Sequence, residues 1–411
     1  MPTTDPQQRR RDALRPWALA LIASVAACQF DKADRWDEGT AGPPLPCVPG
    51  TVRCAFALER CEPVGLSAAW KVIDDCPAQS RICSGSLLAC VECTPSQRFC
   101  QGNNVAACAA DGMSSHQVAT CDGTPTSSCR DGYCIDLCAR AALSRSNVGC
   151  EYWAVDLDNA MIDATSNAAA QQFAIVVSNP QPDLPASVVI EQDDSIPGAA
   201  SELSVAATAT IQPLNLRVFK LGPREVDGSP DGEFDTGTGT AITRHAFRVT
   251  SNVPVVAYQF NPLDNVGVFS NDASLLKPVE ALVNTPGSLL PAYVVTGWPQ
   301  PIASTADPET NFTPSDPIDL RAFVTIVGTR PDTRVRVVPS ARVIPGSGIP
   351  ETQPGTPIEV TLQPFEVLNL ESGGFNADFT GSQIDADQPV VVFSGGEASD
   401  APFFSKLADR F

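Results

Sequence analysis

The chain has 411 residues, and 47 acidic side chains against 27 basic ones give it a formal net charge of −20. A surface this acidic repels phosphate backbones, so the composition argues against a nucleic-acid-binding protein. Fifteen cysteines in one chain also argue against a reducing cytosol.

The N-terminal segment has the pattern of a secretory signal peptide. Four arginines within residues 9–15 precede the apolar run Trp17–Ala27, which is too short to span a bilayer. The run ends in Val-Ala-Ala-Cys, which resembles the bacterial lipobox, where the cysteine is acylated after cleavage. We therefore predict a signal peptide at 1–27, a lipid anchor on Cys28, and outer-membrane sorting because Gln29, not Asp, follows. The anchored protein is expected to face the cell surface or the periplasm.

A cysteine-rich region follows a polar, Gly- and Pro-rich segment at 28–46 that is typical of a flexible tether. An even number of cysteines confined to one exported segment indicates disulfides. Their repeated spacing predicts two six-cysteine units, 47–92 and 93–138, and leaves two cysteines to pair with each other; connectivity within a unit stays open. The disulfide candidates are Cys47, Cys54, Cys61, Cys76, Cys83, Cys90, Cys93, Cys100, Cys108, Cys121, Cys129, Cys134, Cys138 and Cys150.

Zinc is the alternative use for such cysteines. The only CxxC spacing is Cys90–Cys93, and the two histidines, His116 and His245, offer no paired ligand spacing. The disulfide interpretation is therefore preferred.

The remainder, 151–411, lacks cysteine and alternates short β-branched runs with turn residues, which predicts an all-β sandwich. Ala160–Gln171 and Ala273–Val283 are expected as short helices. The predicted strands are Phe173–Ser178, Ser187–Ile190, Leu214–Leu221, Ala246–Thr250, Val253–Phe260, Ala322–Val327, Arg334–Val338, Ile358–Leu362, Val367–Leu370 and Pro389–Phe393.

This β region also contains an internal duplication. The run beginning at Phe173 is similar to the run beginning at Phe323, Gln212-Pro213 corresponds to Gln363-Pro364, and Pro254-Val255-Val256 corresponds to Pro389-Val390-Val391. The order of the three blocks is kept. The pattern predicts two tandem β-sandwich domains, 151–300 with a linker and 301–411 in a shortened form.

Several motifs of the β region resemble the IgG Fc-binding protein N-terminal domain family. The residues that carry the resemblance are TSNVPVVAYQFN (250–261), SNDASLLKPVEAL (270–282), YVVTGW (293–298) and DFTGSQIDADQPVVVFSGG (378–396). The resemblance extends from about Trp153 to the end, and the cysteine-rich front is similar to that of bacterial, particularly myxobacterial, lipoproteins with this domain. It implies binding of immunoglobulin or glycoproteins, although family members share a fold more than a ligand.

No catalytic motif such as GxSxG or HExxH is present, so we predict no enzyme and no cofactor. Weak Ca²⁺ candidates are Asp156 and Asp158 in one acidic cluster and Asp231 and Asp235 in another, with solvated turns as the alternative. Asn311-Phe312-Thr313 fits the N-glycosylation pattern. The aromatic residues Tyr258, Phe260, Phe269, Tyr293 and Trp298 are either packing residues or an exposed binding patch.

Two functions fit these observations. The first is a lipid-anchored adhesion protein whose β-sandwich edges and loops bind extracellular protein or glycan. The second is an exported polysaccharide hydrolase that acts through a pair of carboxylates, recognisable by two carboxyl groups about 5–10 Å apart in a deep cleft.

Overall fold

A computed structural model describes residues 47–398 apart from 66, 122–126, 164, 231–232, 234–235, 237, 267, 269–271, 284–290, 301–319 and 375–376. The expectations for the signal peptide, Cys28, the tether, Asp231, Asp235, Phe269 and the glycosylation pattern therefore lie outside the described residues. Within them, none of the helices has both the length and the apolar character needed to cross a membrane.

The fold is mostly β with a disulfide-rich N-terminal part, as predicted. The chain divides into two compact units, Met1–Gln97 with Cys108–His116, and Arg98–Ala107 with Gln117–Phe411. Among the described residues, the first ten strands and the α-helix that follows them are β1 Val52–Cys54, β2 Leu58–Val64, β3 Ser67–Asp74, β4 Ile82–Ser84, β5 Ala89–Val91, β6 Arg98–Gln101, β7 Asn104–Cys108, β8 Ser115–Thr120, β9 Ser127–Arg130, β10 Tyr133–Asp136 and α1 Leu137–Ala142.

All fourteen cysteines of the cysteine-rich region are paired, and the two six-cysteine sets share one connectivity. In each set the first cysteine bonds to the third, the second to the fifth and the fourth to the sixth. Because these short strands bury little apolar surface, the crosslinks supply much of the stability of this region. The pairs are Cys47–Cys61, Cys54–Cys83 and Cys76–Cys90, then Cys93–Cys108, Cys100–Cys129 and Cys121–Cys134, and finally Cys138–Cys150.

The first β-sandwich consists of two sheets that share one long strand. The amino-terminal half of β19 pairs with β11 and β15, and its carboxyl-terminal half pairs with β14 and β20. β16 and β17 complete the two sheets. β12 and β13 form a separate two-stranded sheet, and β18 belongs to a sheet of the second sandwich. The strands of this part of the chain are β11 Gly149–Val155, β12 Met161–Asp163, β13 Ser166–Asn167, β14 Ala174–Ser178, β15 Ala186–Asp193, β16 Leu203–Ile211, β17 Leu216–Lys220, β18 Ala241–Thr243, β19 Ala246–Asn261 and β20 Asp272–Leu275.

The second sandwich has two four-stranded sheets, in the orders β18-β25-β22-β27 and β21-β26-β23-β24. Its core includes Val324, Ile326, Leu368 and Leu370. Along each strand, the residues between them lie on the other face of the sheet. Its strands are β21 Tyr293–Val294, β22 Ala322–Gly328, β23 Thr333–Val338, β24 Ile358–Leu362, β25 Val367–Glu371, β26 Gln383–Ala386 and β27 Val390–Gly396.

The two sandwiches repeat the same strand pairing. β14 lies between β17 and β19 as β22 lies between β25 and β27, and β15 pairs with β16 and β19 as β23 pairs with β24 and β26. Val255 and Val390 each enter the core of their own sandwich, so the side-chain faces agree with the match made on the sequence.

Three local predictions were wrong. Ala160–Gln171 contains the short strands β12 and β13 instead of a helix, and Asn167 accepts a hydrogen bond from the Ala170 N–H, a turn contact that competes with helix formation. Ala273–Val283 is interrupted by Pro278 and forms β20 and a 3₁₀ turn, Val279–Ala281. Ala246–Thr250 and Val253–Phe260 are one strand, because β19 continues through the turn-like Asn252-Val253-Pro254.

The two sandwiches pack on each other within the second compact unit. β18, which precedes β19 in the chain, pairs with β25 of the second sandwich. Trp153 packs edge-on against Phe365 with ring centroids 4.8 Å apart, in a buried cluster that also includes Val226 and Val391. Burial of this apolar surface joins the sandwiches into one body.

Candidate functional site

The outer face of one sheet of the first sandwich is apolar. In register, Val218 lies opposite Val176, Val176 opposite Tyr258, and Tyr258 opposite Leu275. Val218 is 38% exposed and Leu275 43% exposed, so this row is open to solvent. The opposite face of the same strands enters the core. We call this surface the apolar face; its members are Val176, Leu216, Val218, Val256, Tyr258, Phe260 and Leu275.

The aromatic residues singled out in the sequence have different environments. Tyr258 and Phe260 are half-buried members of the apolar face. The Tyr293 hydroxyl donates a hydrogen bond to the Val390 carbonyl at 2.9 Å, so this residue packs within the second sandwich. Trp298 is 41% exposed. Tyr258, Phe260 and Trp298 are thus at least partly exposed, and the first two lie on the apolar face.

A second feature is a group of three buried carboxylates, Asp158, Glu371 and Glu397, which we call the carboxylate cluster. Oxygens from all three lie within 4.8 Å of one another. Asp158 follows β11 of the first sandwich, Glu371 ends β25, and Glu397 follows β27 of the second. Their exposed fractions are 4%, 1% and 5%. The packing of the two sandwiches therefore concentrates negative charge in a buried place, which costs free energy unless a cation or proton compensates it.

Neighbouring groups hold the carboxylate cluster in position. The Arg321 guanidinium Nη1 lies 4.0 Å from Glu371 Oε2, and the Arg321 main-chain N–H donates to Glu397 Oε1 at 2.8 Å. The Asn369 side-chain amide donates to Glu371 Oε1 at 3.3 Å. Gly239 lies against the Glu371 carboxyl group so closely that a Cβ there would overlap it. These contacts fix the carboxylate geometry before any ligand binds.

Burial changes the pKa values of the acids in and beside the carboxylate cluster. Burial raises the pKa of Asp158 to about 6 and that of the adjacent Asp156 to about 7. Burial also raises the pKa of Glu371 well above its ordinary value, and the nearby Asp158 charge raises it further. Burial therefore disfavours the ionised form of these carboxyl groups when no cation is bound.

A cavity of about 540 Å³ opens beside the carboxylate cluster. Asp158 and Glu397 line it together with the polar side chains of Asn159, Gln259 and Asn261. Among the described residues, Asp158 Oδ1 has no hydrogen-bond donor and Gln259 Nε2 has no acceptor, although both atoms are buried. Buried polar atoms without partners are uncommon and indicate a missing ligand, ion or water.

The sequence-based Ca²⁺ candidates are only partly brought together. Asp158 belongs to the carboxylate cluster, whereas an Asp156 oxygen accepts the Arg224 main-chain N–H at 3.0 Å. Glu371 and Glu397 were not identified from the sequence. The internal repeat aligns Glu371 with Lys220, which is also a charged residue, so the repeat does not single out Glu371.

The carboxylate spacing bears on the hydrolase alternative. Glycosidase carboxyl pairs lie about 5–5.5 Å apart in retaining enzymes and about 6.5–9.5 Å apart in inverting ones. The carboxylate oxygens here come within 4.8 Å, and Glu371 is almost fully buried. This spacing suits the binding of one cation better than the admission of a sugar bond between two carboxylates.

His245, the one histidine of the β region, has a structural contact. Its Nδ1 lies 2.6 Å from the Glu225 carbonyl oxygen. This contact fixes the imidazole beside the junction of β18 and β19.

Comparison with curated proteins and with solved structures finds no match for the chain. A family model does match its C-terminal part, from the start of β20 through β27. The matched region contains nearly all residues of three of the four motifs on which the sequence resemblance rests. The fourth motif, at 250–261, lies before the matched region. Residues 272–409 match the family described as IgGFc binding protein, which confirms the family resemblance for this part of the chain.

Proposed function

We propose that this protein is an exported, lipid-anchored binding protein that attaches to extracellular protein or glycan through the apolar face. The observation that carries the proposal is the match of residues 272–409 to a family described as IgGFc binding protein. A binding role for that family transfers to this chain as a class of activity, without its particular ligand.

Export is supported by the disulfides. Seven disulfides between Cys47 and Cys150 require an oxidising compartment in which to form and persist. The N-terminal pattern that ends at Cys28 supplies both the export signal and the anchor. Attachment through Cys28 would hold the N-terminal end of the mature chain at the outer membrane.

The apolar face is the surface best suited to a partner. Exposed apolar patches on soluble proteins commonly mark interaction sites. Tyr258 and Phe260 add aromatic surface, and their side chains lose little entropy when a partner binds. Aromatic residues of this kind are enriched at protein and carbohydrate binding surfaces. The row from Val218 to Leu275 runs across four hydrogen-bonded strands, so the sheet holds these side chains rigidly in one plane.

A capture assay tests this function. The chain from residue 28, with Cys28→Ser, is immobilised and exposed to an IgG Fc fragment, a mucin glycoprotein, and the same mucin without its O-glycans. We expect saturable binding of at least one probe, and the pair of mucins separates glycan from protein recognition. The absence of binding to every probe would contradict the proposal.

Paired variants locate the surface. The double substitution Val218→Lys with Leu275→Lys places two charges on the apolar face and is expected to weaken binding at least about tenfold, an effect of about 1.4 kcal/mol. The control, Leu203→Lys with Val205→Lys, changes two apolar residues on the edge strand β16 that are more exposed, at 53% and 61%. Equal losses of binding in both variants would show that the apolar face is not the binding surface. Release of reducing sugar from the mucin would instead support a hydrolase.

A further inference from the structure

We propose that the carboxylate cluster binds one Ca²⁺ ion, held by oxygens of Asp158, Glu371 and Glu397. These residues come from both β-sandwiches, so the ion would join them close to the pairing of β18 with β25. This inference is independent of the extracellular ligand.

Charge balance favours a divalent ion. The three carboxylates contribute three negative charges when ionised, and Arg321 beside them contributes one positive charge. The remainder of two negative charges is what one divalent cation neutralises. Without such compensation, three carboxylates at exposures of 1–5% would repel one another in a medium that screens charge poorly.

The ligand types and spacing favour a hard cation. Ca²⁺ takes carboxylate, carbonyl and water oxygens at about 2.3–2.6 Å, so oxygens on opposite sides of it lie about 4.6–5.2 Å apart. The oxygens of Asp158, Glu371 and Glu397 all lie within 4.8 Å of one another, so one ion can contact all three. No sulfur or imidazole group is part of the cluster, which argues against zinc and copper.

Two unpartnered atoms indicate that the site is built for a ligand. Asp158 Oδ1 is buried without a donor among the described residues, and a cation supplies the positive partner that it lacks. Gln259 is 1% exposed, lines the same cavity and has a buried Nε2 without an acceptor. A water molecule inside the cavity of about 540 Å³ would accept that hydrogen bond.

The surrounding backbone fits this role. Gly239, with a φ of +70°, leaves space that the Glu371 carboxyl group fills, and Asn369 donates to the same carboxyl. The carboxylates are thus oriented by fixed neighbours, which lowers the entropy lost when an ion binds.

Calcium binding is measured on the chain from residue 28 with Cys28→Ser, dialysed against a chelator and then against chelator-free buffer. Equilibrium dialysis with ⁴⁵Ca²⁺ is expected to give one ion per chain. Addition of CaCl₂ at about 100 times the dissociation constant should raise the melting temperature by about 5–10 °C. MgCl₂ at the same concentration is expected to raise it less, because Mg²⁺ gives up its waters reluctantly.

Substitutions identify the ligands. Asp158→Asn and Glu371→Gln should each abolish the calcium-dependent shift, while both variants remain folded by circular dichroism because each relieves carboxylate repulsion. The control Asp272→Asn removes an exposed carboxylate from the wall of the same cavity and should keep the full shift. Failure of the unsubstituted chain to bind Ca²⁺, or an unchanged shift in both cluster variants, would overturn the proposal.

Discussion

At the scale of single residues, Asp193 stabilises the turn after β15. Burial alone would raise its pKa, but hydrogen bonds from Ser195, Ser201 and the Glu202 N–H outweigh that effect and lower the pKa to about 2. Arg244, which is 5% exposed, lies 3.5 Å from the same carboxylate and 3.1 Å from Glu366 of the second sandwich. Asp193 therefore connects a local turn with the packing of the two sandwiches.

The substitution Asp193→Asn is expected to lower the free energy of unfolding at pH 7 by about 2 kcal/mol, because the pKa is about two units below its ordinary value. The folded-state pKa lies below the unfolded one, so this contribution is present above about pH 5. It is lost as the pH falls from about 4 to 2. Urea unfolding of both proteins at pH 7, 4 and 2.5 measures the difference. A gap that stays constant over this pH range would refute the assignment.

Gly239 is the second residue with a specific requirement. Its φ of +70° is the left-handed region, and an added Cβ would overlap the Glu371 carboxyl carbon. Gly239→Ala is expected to cost about 3 kcal/mol or more, from backbone strain and displacement of the carboxylate. Gly348→Ala is the control, because Gly348 has a φ of +84° and no atom near an added Cβ. It measures the cost of backbone strain alone, about 1 kcal/mol of unfolding free energy. Equal losses on thermal unfolding would show that contact with Glu371 is unimportant.

Some residues of the carboxylate cluster could not be identified from the sequence. Asp158 could be named because it lies in a local acidic run, whereas Glu371 and Glu397 reach it only through the packing of two sandwiches. Spacing along the chain carries no information about such a contact. The apolar face was equally hidden, because its strands show β-branched residues on both faces and periodicity does not reveal which face is covered.

At the scale of elements, strand positions were largely predictable, since β-branched runs bounded by Pro, Gly and Asn favour strands. β14, β22, β23 and β24 lie close to their predicted ranges. The continuity of β19 was not predictable, because Pro254 normally marks a strand boundary. The two expected helices failed because turn-forming side chains and Pro278 outweigh the alanine content.

The contact of β11 with the loop before β25 is the main apolar junction between the sandwiches. Trp153 is 1% exposed and packs edge-on against Phe365, with Arg248 above both rings. Such an arrangement combines apolar burial with aromatic and cation–π attraction.

Trp153→Ala is therefore expected to lower the free energy of unfolding by about 3–5 kcal/mol, because it leaves a large cavity in this junction. Trp298→Ala, which removes an indole that is 41% exposed, should cost less than about 1 kcal/mol. Guanidinium unfolding followed by circular dichroism measures both variants. Comparable losses would mean that the junction contributes little to stability.

At the scale of the whole molecule, the order of parts agrees with a displayed binding protein. The sequence predicts an anchor at Cys28 and a tether to residue 46, and the structure continues with disulfide-linked strands and two sandwiches of equal topology. The apolar face lies on the first sandwich, and the family match lies mostly on the second.

The proposed function, binding by a lipid-anchored surface protein, is tested most directly by ligand binding to intact bacterial cells that express the full chain. Fluorescent mucin or Fc fragment, whichever the immobilised chain captures, is added and the bound fluorescence per cell is measured by flow cytometry. We predict strong labelling with the natural sequence, loss with Cys28→Ser because the protein is no longer retained, and loss with Val218→Lys plus Leu275→Lys although the protein stays in the membrane fraction. Labelling of Cys28→Ser cells equal to that of the natural sequence, or undiminished labelling of the apolar-face variant, would contradict the account.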